Sequence, residues 1–192
     1  SRGLGDVYKR QVFRLQNEEQ VLCVVNKKEH AKKLFSMLGE SEENICLSTH
    51  EYPAHRKRSI EKIRNRLNNN LPCKVISTSL IEAGVDLNFK TVYRAISGID
   101  SILQAGGRCN REGKNNRSDS LVHIFDTGEI ISCQQKNASV ARKIIEKYGS
   151  EIYTATAIKE YFDELYYYLK SGNDDDFNYK NICLLYTSPS PR

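Results

Sequence analysis

KVISTSLIEAGVDLNFKTVYRAISGIDSILQAGGRCNR occupies residues 74–111. It holds two short runs, KVISTS (74–79) and TVYRAI (91–96), rich in β-branched and apolar residues. Such runs read as buried strands. Residues 99–111 then read as helical and bring Gln104, Arg108 and Arg111 together with Gly106 and Gly107. Two arginines three apart, after an amide and two glycines, are odd for a core helix. They call for an anion to aim at.

Working outward, VLCVVN (21–26), ICLST (45–49) and SLVHIFD (120–126) are further strand candidates. Asn26 and Glu29 have the spacing of a capping box. Ala31, Leu34, Phe35 and Leu38 follow at helical spacing and stop at Gly39. Pro53 opens another helix with Ile60, Ile63 and Leu67 on its apolar side, broken by three asparagines and Pro72. Strands alternating with helices at short spacing predict an α/β fold, a doubly wound parallel sheet covered on both faces. After residue 127 the pattern turns helical, at 134–148 and 155–170, with Ile158, Tyr161, Phe162, Leu165 and Leu169 expected on one face. GNDDD (172–176) is a polar break. The expected organisation is a sheet domain over 12–127 and a helical appendage over 128–182.

The two ends read differently. SRGLGDVYKRQ (1–11) and CLLYTSPSPR (183–192) are both encoded by one DNA string, read on its two strands. That string resembles a transposase-type sequencing-library adapter, so both ends are expected to be adapter-derived and are left out of the fold reading. Without them, Lys and Arg fall from 29 to 25 and Asp and Glu from 24 to 23, and the net charge falls from +5 to +2. Charge alone therefore does not argue for a nucleic-acid partner. The remaining 171 residues suit one domain with a real core. Cys23, Cys46, Cys73, Cys109 and Cys133 stand singly, without a C-x-x-C pair, as small hydrophobes do in a reducing cytoplasm. No apolar run approaches the ~18 residues of a membrane span.

In a parallel sheet, functional loops sit at the carboxyl ends of strands. Three such stretches carry unusual residues and are expected to line one edge. The first holds Ser48, Thr49, His50, Pro53, His55, Arg56, Lys57 and Arg58. The second holds Ser77, Thr78, Ser79, Glu82, Gly84 and Asp86. The third is the Gln104–Arg111 stretch. Four histidines (30, 50, 55, 123) lack metal-ligand spacing, and His123 falls in a strand, at core or edge. The tyrosines at 166–168 are set on a helix, which favours packing over base stacking. Lys62, Arg64 and Arg66 read as a solvated helix face, with Arg56 the exception beside its loop.

STSLIEAGVDL (77–87) followed by DSILQAGGRCNREG (100–113) resembles the fifth and sixth helicase motifs of superfamily 2. LSTHEYPAHR (47–56) and VLCVVNKKEHA (21–31) fit the preceding motifs. The R-C-N-R and E-A-G-V-D runs, with the tail AIKEYFDELYYYL (157–169), resemble most the CRISPR-associated helicase–nuclease of type I systems. Two positions depart from the wider pattern. Ala105 stands where Arg often follows the Gln, and Asn110 where Gly is usual.

The resemblance implies a second RecA-like motor domain. It implies that Arg108 and Arg111 reach the γ-phosphate of ATP held with Mg²⁺ mainly by a first motor domain, Arg111 as the finger. Gln104 would orient the helix or the attacking water, and Gly84 and Asp86 would approach the nucleotide. Ser48, Thr49, Arg56, Ser77 and Thr78 would meet single-stranded DNA, since short hydroxyls at strand ends admit a backbone without reading bases. The implied partners are that DNA, a guide-RNA surveillance complex, and motor and nuclease domains outside these residues. The sequence holds no G-x-x-x-x-G-K-[ST] phosphate loop, acidic Mg²⁺ box or His-Asp pair, so this stretch alone is expected to be inactive. Two other readings stand: half of another superfamily 2 RNA or DNA helicase, and a non-catalytic RecA-like nucleic-acid-binding module.

Overall fold

A computed structural model describes residues 4–47, 53–78, 87–109, 121–129 and 134–171. In chain order these form α1 (Leu4–Gln16), β1 (Gln20–Val24), α2 (Lys28–Leu38), β2 (Asn44–Leu47), α3 (Pro53–Asn68), β3 (Cys73–Ser77), β4 (Thr91–Ala95), α4 (Ile99–Gly106), β5 (Leu121–Phe125), α5 (Gln135–Tyr148) and α6 (Ala155–Ser171). The five strands make one sheet in the order β2-β3-β1-β4-β5, and every described pairing is parallel. This is the expected α/β, doubly wound architecture.

The strands' own alternation builds the two layers. On the central strand, Val21, Cys23 and Val25 join a cluster with α1 and α2, through Tyr8, Val12, Leu15, Ala31 and Leu34. Leu22 and Val24 face the other way, into a cluster holding Ile63 of α3 and Ala105 of α4. Strand β1 is buried along its whole length, which its run of β-branched and apolar residues requires. A third cluster joins Ile99 of α4 to Val140, Ala141 and Ile144 of α5 and Ala157 and Tyr161 of α6. The C-terminal helices are thus fastened to α4.

Helix α1 starts at Leu4, within the stretch left out of the sequence reading, and Tyr8 is fully buried, with the ring of His30 edge-on at 5.5 Å. Three local expectations are corrected. Asn26 does not cap α2: the cap position is Lys27, with no side-chain cap bond. Asn26 is drawn away by Arg94 and by the Ile96 carbonyl. The helix expected through 111 ends at Gly106, where two glycines weaken it and a bridge from Phe89 to Cys109 takes over the chain. On α6, Tyr161 is buried as expected, but Phe162 is 46 % exposed.

Candidate nucleotide and nucleic-acid interface

The carboxyl ends of the three strands β2, β3 and β1 are knitted by backbone bonds. Val25 N–H donates to the Ser77 carbonyl at 2.9 Å, and Thr78 N–H donates to that of Leu47 at 3.3 Å. Ser77 is 2 % exposed, and the Thr78 hydroxyl is enclosed with no partner among the described residues. Arg56 lies in the first turns of α3, half-buried, where Pro53 begins the helix at the position its fixed φ favours. Ser48, Thr49, Gly84, Asp86 and Arg111 lie outside the described residues.

Gln104 is exposed on α4, and Arg108 is half-buried just past its end. Arg108 does not lie on the edge shared by Ser77 and Thr78. Helix α4 starts above the carboxyl end of β4 and returns down the sheet, about 12 Å over its eight residues. Its far end meets Phe89, just ahead of β4: Phe89 N–H donates to the Arg108 carbonyl at 3.1 Å, and the Cys109 thiol donates to that of Lys90 at 3.3 Å. The expectation that all three stretches line one edge is therefore corrected. The returning helix carries the arginine to the opposite end of the strands. Behind Arg108 a recess of about 610 Å³ opens against Leu103, Gly106, Cys109, Ile124 and Tyr153, and none of its described walls is charged.

The sequence reading missed a polar group between β1 and β4. Arg94 is 6 % exposed. Its Nη1 donates to the Asn26 side-chain oxygen at 2.7 Å and to the carbonyls of Ala95 at 2.8 Å and Val24 at 3.5 Å. Burial pushes the guanidinium down to about 10, opposed by nearby Asp100, so it stays charged at neutral pH. An arginine inside a strand was the available signal. At the start of α2, Glu129 accepts from Lys27 at 3.0 Å and lies 3.2 Å from His30 Nε2. The Lys27 bond, then the His30 bond, hold the Glu129 carboxyl below its usual range.

Cys23 and Cys73 are buried, and burial pushes their thiols up to about 12 and 11; Cys109 is raised to about 11 by the same cause. They are poor nucleophiles and poor metal ligands. No group of three or more His, Cys, Asp or Glu among the described residues could hold a metal ion. No described helix is long and apolar enough to cross a membrane.

The structure is similar to the crystal structure of T. fusca Cas3 with ATP, at a TM-score of 0.66 and 13 % identity, over 95 % of this chain and 23 % of that one. That likeness shows a RecA-like fold. In sequence, the chain is 43 % identical over 79 residues to the CRISPR-associated nuclease/helicase Cas3 of Haloferax volcanii, covering 41 % of this chain and 8 % of that protein. It is 27 % identical over 155 residues to the Cas3 of Methanothermobacter thermautotrophicus, covering 78 % of this chain and 19 % of that protein. Residues 17–114, just over half of the 192, match the family model described as CRISPR-associated nuclease/helicase Cas3, C-terminal, and the chain belongs to that family of enzymes.

Proposed function

We propose that this chain is the second motor half of an ATP-dependent translocase on single-stranded DNA in CRISPR defence. The observation that carries this reading is the family match over 17–114, which encloses both motif stretches, 77–87 and 100–113. Breaking the β–γ bond of ATP needs positive charge placed beforehand at the transferring oxygens. Arg111 supplies it as the finger, and Arg108 supports it. Gln104 orients the attacking water or the helix, and Gly84 and Asp86 border the nucleotide. ATP and Mg²⁺ are held by a first motor half outside these residues.

The DNA takes a different surface. Ser48, Thr49 and Arg56 meet its backbone, while the enclosed Ser77 and Thr78 close the strand ends behind them. The separation of Arg108 from that edge by the length of α4 supports a body that meets ATP on one side and DNA on the other. The whole protein moves 3′→5′ on a strand opened by a guide-RNA complex, and a separate metal-dependent domain cuts it. The test is a fusion of this chain to a nucleotide-holding half of the same family. Arg111→Ala is expected to lower DNA-stimulated ATPase on the order of 10³-fold or more. Near-normal turnover in that variant would overturn the reading.

A further inference from the structure

Gly106 closes α4 at a position where alanine would suit the helix better, since glycine weakens a helix and has no side chain to pack. Its neighbour accounts for the glycine. A Cβ on Gly106 would lie 3.1 Å from Tyr153 Cε1 and 3.2 Å from the Tyr153 hydroxyl. Both separations are shorter than an ordinary van der Waals contact. The bare backbone of Gly106 is therefore the seat of the tyrosine ring.

Tyr153 is held from its other side by a stiff connection between α5 and α6. Gly149 ends α5 at φ +53°, and its N–H donates to the Ile145 carbonyl. Ile152 is buried. The Thr154 hydroxyl donates to the Glu151 carbonyl at 2.9 Å and accepts from Ala157 N–H at 3.3 Å, which caps the first turn of α6. Glu160 of α6 accepts from Lys147 and from the Tyr148 hydroxyl of α5, each at 2.5 Å. The turn that carries Tyr153 is thus fixed to the helical pair, and its ring reaches the last turn of α4.

Gly106 lies two residues before Arg108. The amides that follow it close the helix end: Gly107 N–H donates to the Leu103 carbonyl, Arg108 N–H to that of Ala105 and Cys109 N–H to that of Gly106, each at 3.0 Å. Tyr153 is 46 % exposed and belongs to none of the three buried clusters. Its ring contributes little to the core, so its contact with Gly106 acts on position more than on cohesion.

We propose that Tyr153 is a positioning residue for Arg108: its ring braces the end of α4 through Gly106, and the turn between α5 and α6 sets where the guanidinium stands. This rests on the reading above that Arg108 meets the nucleotide. It gives the helical appendage a part in turnover, because a shift of α5 and α6 moves the arginine.

The experiment has two readouts. In the whole chain, amide hydrogen exchange at residues 107–109 reports the end of α4. In the fusion to a nucleotide-holding half, kcat and KM for ATP report the arginine. Tyr153→Ala is expected to speed exchange at 107–109 while the strand amides of Leu22 and Val92 keep theirs. It is also expected to lower kcat about tenfold or more with KM unchanged, the pattern of a group displaced from the transition state. Tyr153→Phe keeps the ring and should restore both readouts. Gly106→Ala pushes the ring off its seat with a single methyl group and should lower kcat in the same way. A merely structural role would reduce the folded fraction without separating kcat from KM in the molecules that fold. Arg108→Ala distinguishes the two ways of failing. If it lowers kcat while Tyr153→Ala leaves exchange and kcat at wild type, the brace is overturned and the reading of Arg108 stands. If Arg108→Ala turns over normally, the reading of Arg108 falls and the proposal falls with it.

Discussion

The backbone N–H of Phe89 donates to the carbonyl of Arg108 at 3.1 Å, so the segment leading into β4 and the arginine beyond α4 are one mechanical unit. Phe89 is fully buried in the cluster under α3 and α4, which anchors that unit. Phe89→Ala is expected to cost about 3–5 kcal/mol, the range for emptying a large aromatic site. Urea unfolding of the chain measures this. In a completed motor the same change is expected to lower turnover beyond what the lost stability explains, because Arg108 loses its hold. Equal turnover per folded molecule would show that the bridge does not set the position of Arg108.

Two glycines of the α4 region make different demands. Gly98 has an ordinary φ of −64°, so its constraint is space. A Cβ there would strike the Asp100 carboxylate and come within 2.9 Å of the Tyr161 hydroxyl of α6. The carboxylate can swing, but Tyr161 is fully buried and cannot. Gly107 has φ −66°, and a Cβ there would meet nothing nearer than 3.4 Å. Gly98→Ala is therefore expected to destabilise by about 1–3 kcal/mol, and Gly107→Ala to be neutral or to stabilise by about 0.4–1 kcal/mol. A double-mutant cycle of Gly98→Ala with Tyr161→Phe should show coupling, since the second change removes the obstructing hydroxyl. Additive melting shifts would refute this account of the contact.

The sheet was legible because its strands are short, apolar and β-branched, and because each helix announces itself by spacing. The motif stretches were legible because Gln104, the glycines and Arg108 do not suit a core helix. The direction in which α4 runs was not. A linear reading places Arg108 after a strand and so near its carboxyl end, whereas the returning helix carries it to the other end. Arg94 was hidden for another reason. Inside TVYRAI it looks like one polar residue in a strand, and only the parallel register, which sets Arg94 beside Val24, shows it reaching Asn26. Asn26 itself was misread as a cap because the spacing to Glu29 is the same whether or not the side chain is engaged elsewhere.

Tyr8 offers a direct test of α1 as part of the core. Its ring is fully buried, it meets His30 edge-on, and Lys33 Nζ sits 5.2 Å from its centre. Burial, with Glu129 a smaller cause, pushes its phenol up to about 12. Tyr8→Ala is expected to cost about 3–5 kcal/mol and Tyr8→Phe far less. Melting temperatures that do not respond to Tyr8→Ala would mean that α1 is dispensable to the fold.

Acid should weaken the fold in two stages. His123 stacks on Tyr93 with ring centres 4.7 Å apart, and burial, followed by the charge of Arg14, lowers its imidazole below the ordinary range. A lowered folded value means that the unfolded chain takes up the proton first. Stability is then expected to fall once the pH drops below about 6.5, the unperturbed imidazole value. Glu129, held down by Lys27 and His30, and Glu160, held down by Lys147 and Tyr148, are likewise lowered. Their contribution is present above about 4.3, the unperturbed carboxylate value, and is lost below it. Urea midpoints measured from pH 8 to pH 2 should therefore decline in two steps, and His123→Phe should erase the upper one. A midpoint in that variant that still falls between pH 6.5 and 5 would assign the upper step to another group.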